Sequence, residues 1–159
     1  MSPYQSLPGG QLDQGDIIRH IVVIRKALGT QQDPPNFEQV RSHVLVLSHG
    51  CEIDKPDKPG NVEYRADSVL VARVVRLSQI PSGVQGQVRK LTVRSAFYLP
   101  KEDPLPEEAY VDWRSIQPVD KAVLVAARAT DQYVCTLGGD LFMAAKEKLW
   151  EFFFRDPGQ

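Results

Sequence analysis

Apolar residues along this chain fall into short runs separated by turn-forming positions, a spacing that predicts strands more often than helices. Gly15-Asp16 opens Ile17-Ile18-Arg19-His20-Ile21-Val22-Val23-Ile24, a β-branched run that predicts a first strand with His20 packed inside it. A second strand is expected over Ser42–Leu47 and a third over Val69–Val75. Between the first two, Arg25 to Gln39 carries Gly29, Pro34 and Pro35 with little periodicity, a long loop of the kind used for lids or binding. Pro56-Asp57-Lys58-Pro59-Gly60 is turn chemistry.

Farther on, Ser82 can cap a short helix with Val84, Val88 and Leu91 on one side. Ala96–Leu99, Tyr110–Trp113 and Ser115–Gln117 read as brief strands, and Ala122–Ala127 fits strand or helix equally. A final helix capped by Asp140 places Leu141, Phe142, Ala145, Leu149, Phe152 and Phe153 at helical spacing until Pro157, and it should pack on the sheet. These elements predict a mainly β fold, a small barrel with helical additions, preceded by a flexible lead-in over Met1–Gln14.

Composition changes this picture little. At 159 residues, 42% hydrophobic and 25% charged, the chain suits one globular domain, taken here as residues 15–155. The net charge of −1 excludes a uniformly basic, nucleic-acid-coating protein but hides a polarity. Arg65 to Lys101 holds seven Lys/Arg and one acid, whereas Glu102 to Asp120 holds six acids and one base, so the two segments either pair or polarise the surface. Cys51 and Cys135 have no CxxC spacing, no apolar run reaches membrane-span length, and the first residues lack a signal-peptide pattern. A cytoplasmic protein with free thiols and no membrane contact is the expectation.

Chemistry concentrates where the second strand ends. Val44-Leu45-Val46-Leu47 breaks at Ser48 into His49, Gly50, Cys51, Glu52 and Asp54. His49 and Cys51 share a side of an extended segment and, with His43, Glu52, Asp54 or Cys135, have the donor types of a metal site, although no compact second ligand pair exists. Cys51 beside His49 or His43 has the parts of an activated thiol, opposed by the carboxylates next to it. Glu52 and Asp54 share a face suited to acid–base work or to a solvated turn, and Ser48 can equally do no more than satisfy backbone groups. No phosphate-cradling loop, dinucleotide fingerprint, HExxH or GxSxG occurs, so the sequence predicts neither a metal nor a cofactor.

In order and content, Gly15-Asp16-Ile17-Ile18, the loop to Gln39, Arg41, Val44-Leu45-Val46-Leu47-Ser48, the strand Val69–Val75 and Asp112-Trp113-Arg114-Ser115-Ile116 resemble the PemK/MazF-like toxin family of bacterial proteins. The resemblance spans most of residues 15–154 and implies an SH3-like barrel, commonly a homodimer, that binds RNA and in active members cuts single strands without a metal. Such cleavage needs a base for the 2′-hydroxyl, an acid for the leaving 5′-oxygen and a cation for the phosphate. By that resemblance Arg41 and Ser48 are candidate catalytic residues; as a substitute for the family's own site, His49 is a candidate catalytic acid or base and Arg73 and Arg76 can hold phosphate, with Cys51, Glu52 and Asp54 the further candidate substrate-binding residues beside them. The chain departs from the family at two points: Arg41 stands one residue farther from Ser48 and lacks the usual following proline, and Arg73-Val74-Val75 occupies the place of a threonine. The alternative is a non-catalytic barrel that binds a protein partner in a toxin-antitoxin, defence or regulatory system.

Overall fold

The computed structural model describes residues 2–7, 9–27, 34–49 and 67–154. Among them the strands are β1 (Tyr4–Gln5), β2 (Asp16–Lys26), β3 (Phe37–Val46), β4 (Ser68–Arg76), β5 (Ala96–Leu99), β6 (Ala109–Asp120) and β7 (Tyr133–Leu137). The helices are α1 (Ser82–Arg89), α2 (Lys121–Arg128) and α3 (Gly139–Phe154). All seven strands join one antiparallel sheet in the order β1-β7-β2-β3-β4-β6-β5, with β1 and β5 as its edges. The sheet curls until β6 approaches β2, three places away: Gln117 accepts from Ile24 N–H at 2.8 Å and donates to Ile24 C=O at 3.0 Å. One side-chain amide thus spans the seam where direct strand pairing is absent.

Alternation sorts the side chains onto two buried faces. Ile17, Leu45, Ala72, Val74, Val111, Trp113 and Cys135 form one cluster, covered by Leu141, Phe142, Ala145 and Leu149 of α3. Ile18, Ile21, Val23, Val44, Val46 and Val71 form the other, closed by Leu124 and Ala127 of α2. A strand buried on both faces reads as a continuous apolar run, which is why Val44–Val46 and Val69–Val75 are so evident in the sequence.

Several expectations change. β3 begins at Phe37 and β2 runs to Lys26, because the two pair as a hairpin arm through residues of weak periodicity. The helix α1 is preceded by Pro81, whose carbonyl accepts from Val84 N–H at 2.9 Å, and Ser82 makes no cap. Tyr110–Trp113 and Ser115–Gln117 belong to one strand interrupted by a bulge. Ala122–Ala127 is helical: Asp120 caps it through Ala122 N–H at 2.7 Å, and Leu124, Ala127 and Arg128 turn inward at helical spacing. Where the composition predicts a flexible lead-in, Tyr4 and Leu12 are buried and β1 pairs with β7.

The opening Gly15-Asp16 has a structural task. Gly15 adopts φ +91°, and Asp16 is fully buried, accepting from Arg128 Nε at 2.8 Å, Asp13 N–H at 2.9 Å and the Thr136 hydroxyl. Arg128, itself buried, also donates to Leu7 C=O at 2.9 Å and lies over the Tyr133 ring. This network ties α2, β2, β7 and the amino-terminal segment together.

Candidate functional site

The first strand carries a bulge that the residue pattern conceals. Ile18 pairs with Val44 and Ile21 with Ser42, so Arg19 and His20 both stand opposite His43. His20 takes up the extra length at φ +62°, a left-handed conformation unusual for a side chain with a Cβ. It is therefore exposed rather than packed in the core, which corrects the expectation for this position. Its ring meets that of half-buried His43 edge-on, centroids 6.0 Å apart.

Guanidinium groups surround this pair. Arg41 Nη1 lies 3.5 Å from His20 C=O; Arg19 is paired with Asp131 at 3.2 Å and Arg76 with Glu107 at 3.4 Å. Below His43 and Arg76 is a small cavity of about 60 Å³, walled by Val74, Leu105, Pro106 and Glu107. It has room for a few waters or part of a small anion. Burial pushes the His43 imidazolium below the ordinary histidine range, assisted by His20, Arg76 and Arg19 and opposed by Glu107, so His43 is neutral at pH 7. An imidazole held neutral beside a second imidazole and several cations has the parts of an acid–base site for phosphate chemistry.

The depressed affinity also makes stability depend on pH. Folded His43 binds fewer protons than unfolded His43, so stability present above the unfolded value of 6.5 is lost as pH falls through and below it. Thermal melts should show Tm dropping on acidification in that window, and His43→Gln should flatten the drop. An unchanged slope in the variant would rule His43 out as its source.

Of the sequence candidates, Arg41 and Arg76 share a sheet face with His43, because Arg41 is two residues before it and Arg76 two after its partner Val74. Ser48 and His49 lie just past the carboxyl end of β3, about 23–26 Å from Arg41 at strand rise. His49 is exposed, whereas Ser48 is buried and its Oγ accepts from Leu70 N–H at 2.9 Å, prolonging the β3–β4 ladder. Removing that acceptor strands a part-buried N–H, so Ser48→Ala should cost about 1–3 kcal/mol in denaturant unfolding. Loss below the lower bound would mean that water replaces the hydroxyl. Cys51, Glu52 and Asp54 lie outside the described residues. Cys135 is sealed in the core, its thiol pushed up to about 12 mainly by burial, which makes it inert as a nucleophile or ligand.

Arg73 occupies the opposite face, paired with Val44. There Val71 pairs with Gln117 but Arg73 with Asp112, so Trp113–Ile116 bulges out opposite Ala72. Ser115 bridges the gap, its Oγ accepting from Arg73 N–H at 2.7 Å and donating to Asp112 C=O at 2.6 Å. Arg114 pairs with Asp112 at 3.0 Å, and the buried Arg73 Nε has no partner among the described residues. Arg73 is thus separated from Arg41, His20 and His43 by the thickness of the sheet. The basic and acidic segments meet through Arg89–Glu108 at 2.7 Å and Arg76–Glu107, so part of the charge polarity is spent internally.

Sequence reading missed His20 and the Arg19–His20 bulge. The available signal was two charged or polar residues breaking a β-branched run, which alternation alone cannot accommodate. No protein-family model and no curated protein matches this chain. Among the described residues, no helix is long and apolar enough to cross a membrane.

Proposed function

We propose that this protein is a PemK/MazF-like barrel protein that binds single-stranded RNA and cleaves it without a metal. The observation that carries the reading is the imidazole pair His20–His43, placed by a bulge beside Arg41, Arg76 and Arg19. The curled sheet with its bridged β2–β6 seam and terminal helix supports an SH3-like barrel.

In this reading neutral His43 takes the proton of a ribose 2′-hydroxyl as that oxygen attacks the adjacent phosphorus. His20 gives a proton to the departing 5′-oxygen, the P–O5′ bond breaks, and a 2′,3′-cyclic phosphate forms. Arg41 and Arg76 hold the negative charge on the phosphate oxygens.

Incubation of the protein with mixed single-stranded RNA in EDTA tests this. Cutting that is lost in His43→Gln, and salt-sensitive RNA binding whose slope falls in Arg41→Ala, are the expected results. Intact RNA with no salt-sensitive binding would overturn the proposal. A second reading, a barrel that docks a protein partner or a second copy, is favoured by exposed Trp150, Phe153 and Phe154 on the last turns of α3.

A further inference from the structure

The small cavity under His43 and Arg76 adjoins a larger one. Pro106 and Glu107 line both, and the second, an open cavity of about 440 Å³, is bordered by Ser78, Gln85, Lys101 and Glu108. Its volume lies within the range of about 300–1,000 Å³ typical of small-molecule sites.

The walls of this cavity are braced. Glu108 accepts from Arg89 Nε at 2.8 Å, Arg89 Nη2 at 2.7 Å and the Tyr98 hydroxyl at 2.7 Å, which ties its loop to the helix that carries Gln85. Those hydrogen bonds bring the Glu108 carboxyl down to about 2, so it stays ionised and committed to the brace.

The remaining groups form a defined set of donors and acceptors. Lys101 supplies an ammonium, Ser78 a hydroxyl and Glu107 a carboxylate. Gln85 donates its nitrogen to Ile80 C=O at 3.0 Å, which leaves its amide oxygen as an acceptor. A complementary base offers a carbonyl or ring nitrogen to the ammonium and adjacent N–H donors to the carboxylate and amide oxygen. Guanine does both, with O6 and N7 as acceptors and N1–H beside the 2-amino group as paired donors. Uracil lacks the amino group, and adenine and cytosine present an amino group without a second N–H donor adjacent to it.

We propose that this cavity is a base-recognition subsite, reached across Pro106 and Glu107 from the phosphate position at His43 and Arg76, and that it selects guanine. The inference rests on the RNA reading above and extends it to a sequence preference.

The test uses short 2′-O-methyl RNA oligomers, in which the attacking hydroxyl is blocked, carrying uridine throughout or a single central guanosine, adenosine or cytidine. Binding is followed by fluorescence anisotropy in EDTA at fixed salt. The guanosine oligomer should bind about tenfold more tightly than the other three, the discrimination expected of one good bidentate base contact. Lys101→Met and Gln85→Leu should each bring guanosine binding down to the level that the same variant shows for all-uridine RNA, with thermal melts confirming that both variants are folded. Equal binding of the four oligomers, preference for another base, or a guanosine preference that survives both substitutions overturns the subsite and leaves RNA binding standing. No binding of any oligomer overturns both.

Discussion

Replacing Asp16 by alanine is expected to cost about 3–5 kcal/mol of folding stability, because it leaves the Arg128 guanidinium charged, buried and without its counter-ion. For a chain of this length that corresponds to a fall in Tm on the order of 10 °C. Arg128→Ala should cost a similar amount from the other side, stranding the Asp16 carboxylate and the Leu7 carbonyl. The double variant, Asp16→Ala with Arg128→Ala, should be less unstable than the sum of the two singles, since it removes both charges at once. Urea unfolding of the four proteins measures this coupling directly. If the single variants melt with the wild type, the pair is not the tie between α2 and the sheet.

The second large effect is on chemistry. Under the RNA reading, His43→Gln and His20→Gln should each slow cleavage about 10²–10⁴-fold, the usual contribution of one positioned acid or base. RNA binding should change little, because the arginines remain. His20→Gly separates two roles: glycine adopts φ +62° without strain, so this variant should keep the bulge and the fold while losing cleavage. The pH–rate profile should lose one limb in His43→Gln. Cleavage that persists in both, with RNA still bound, would move the chemistry elsewhere.

The regular parts of the fold were legible because their signal is local. The strands at Ile17–Ile24, Val69–Val75 and Ala96–Leu99 and the terminal helix each carry their own periodicity, and the structure places elements at all four. Tyr133–Leu137 escaped notice although it is β-branched and aromatic, being short and followed by Gly138-Gly139, which drew the reading toward the helix start. The start of β3 from Phe37 to Gln39 falls in the stretch expected as loop because its alternating faces hold polar side chains and exposed Phe37. Its strand character comes from pairing with β2, a contact outside any local window.

The sequence by itself determined a mainly β chain with short apolar strands, a terminal amphipathic helix and arginines and histidines set into or beside those strands. Only the tertiary structure decided which of them meet. Register and bulges act at single-residue resolution: one extra residue at Arg19–His20 turns an imidazole out of the core and toward His43, while plain alternation sends Arg73 to the other side of the sheet. Apolar burial is tolerant of such shifts and so can be read from composition and spacing. Convergence of a few polar groups depends on the path of the whole sheet, which no stretch of the chain encodes alone.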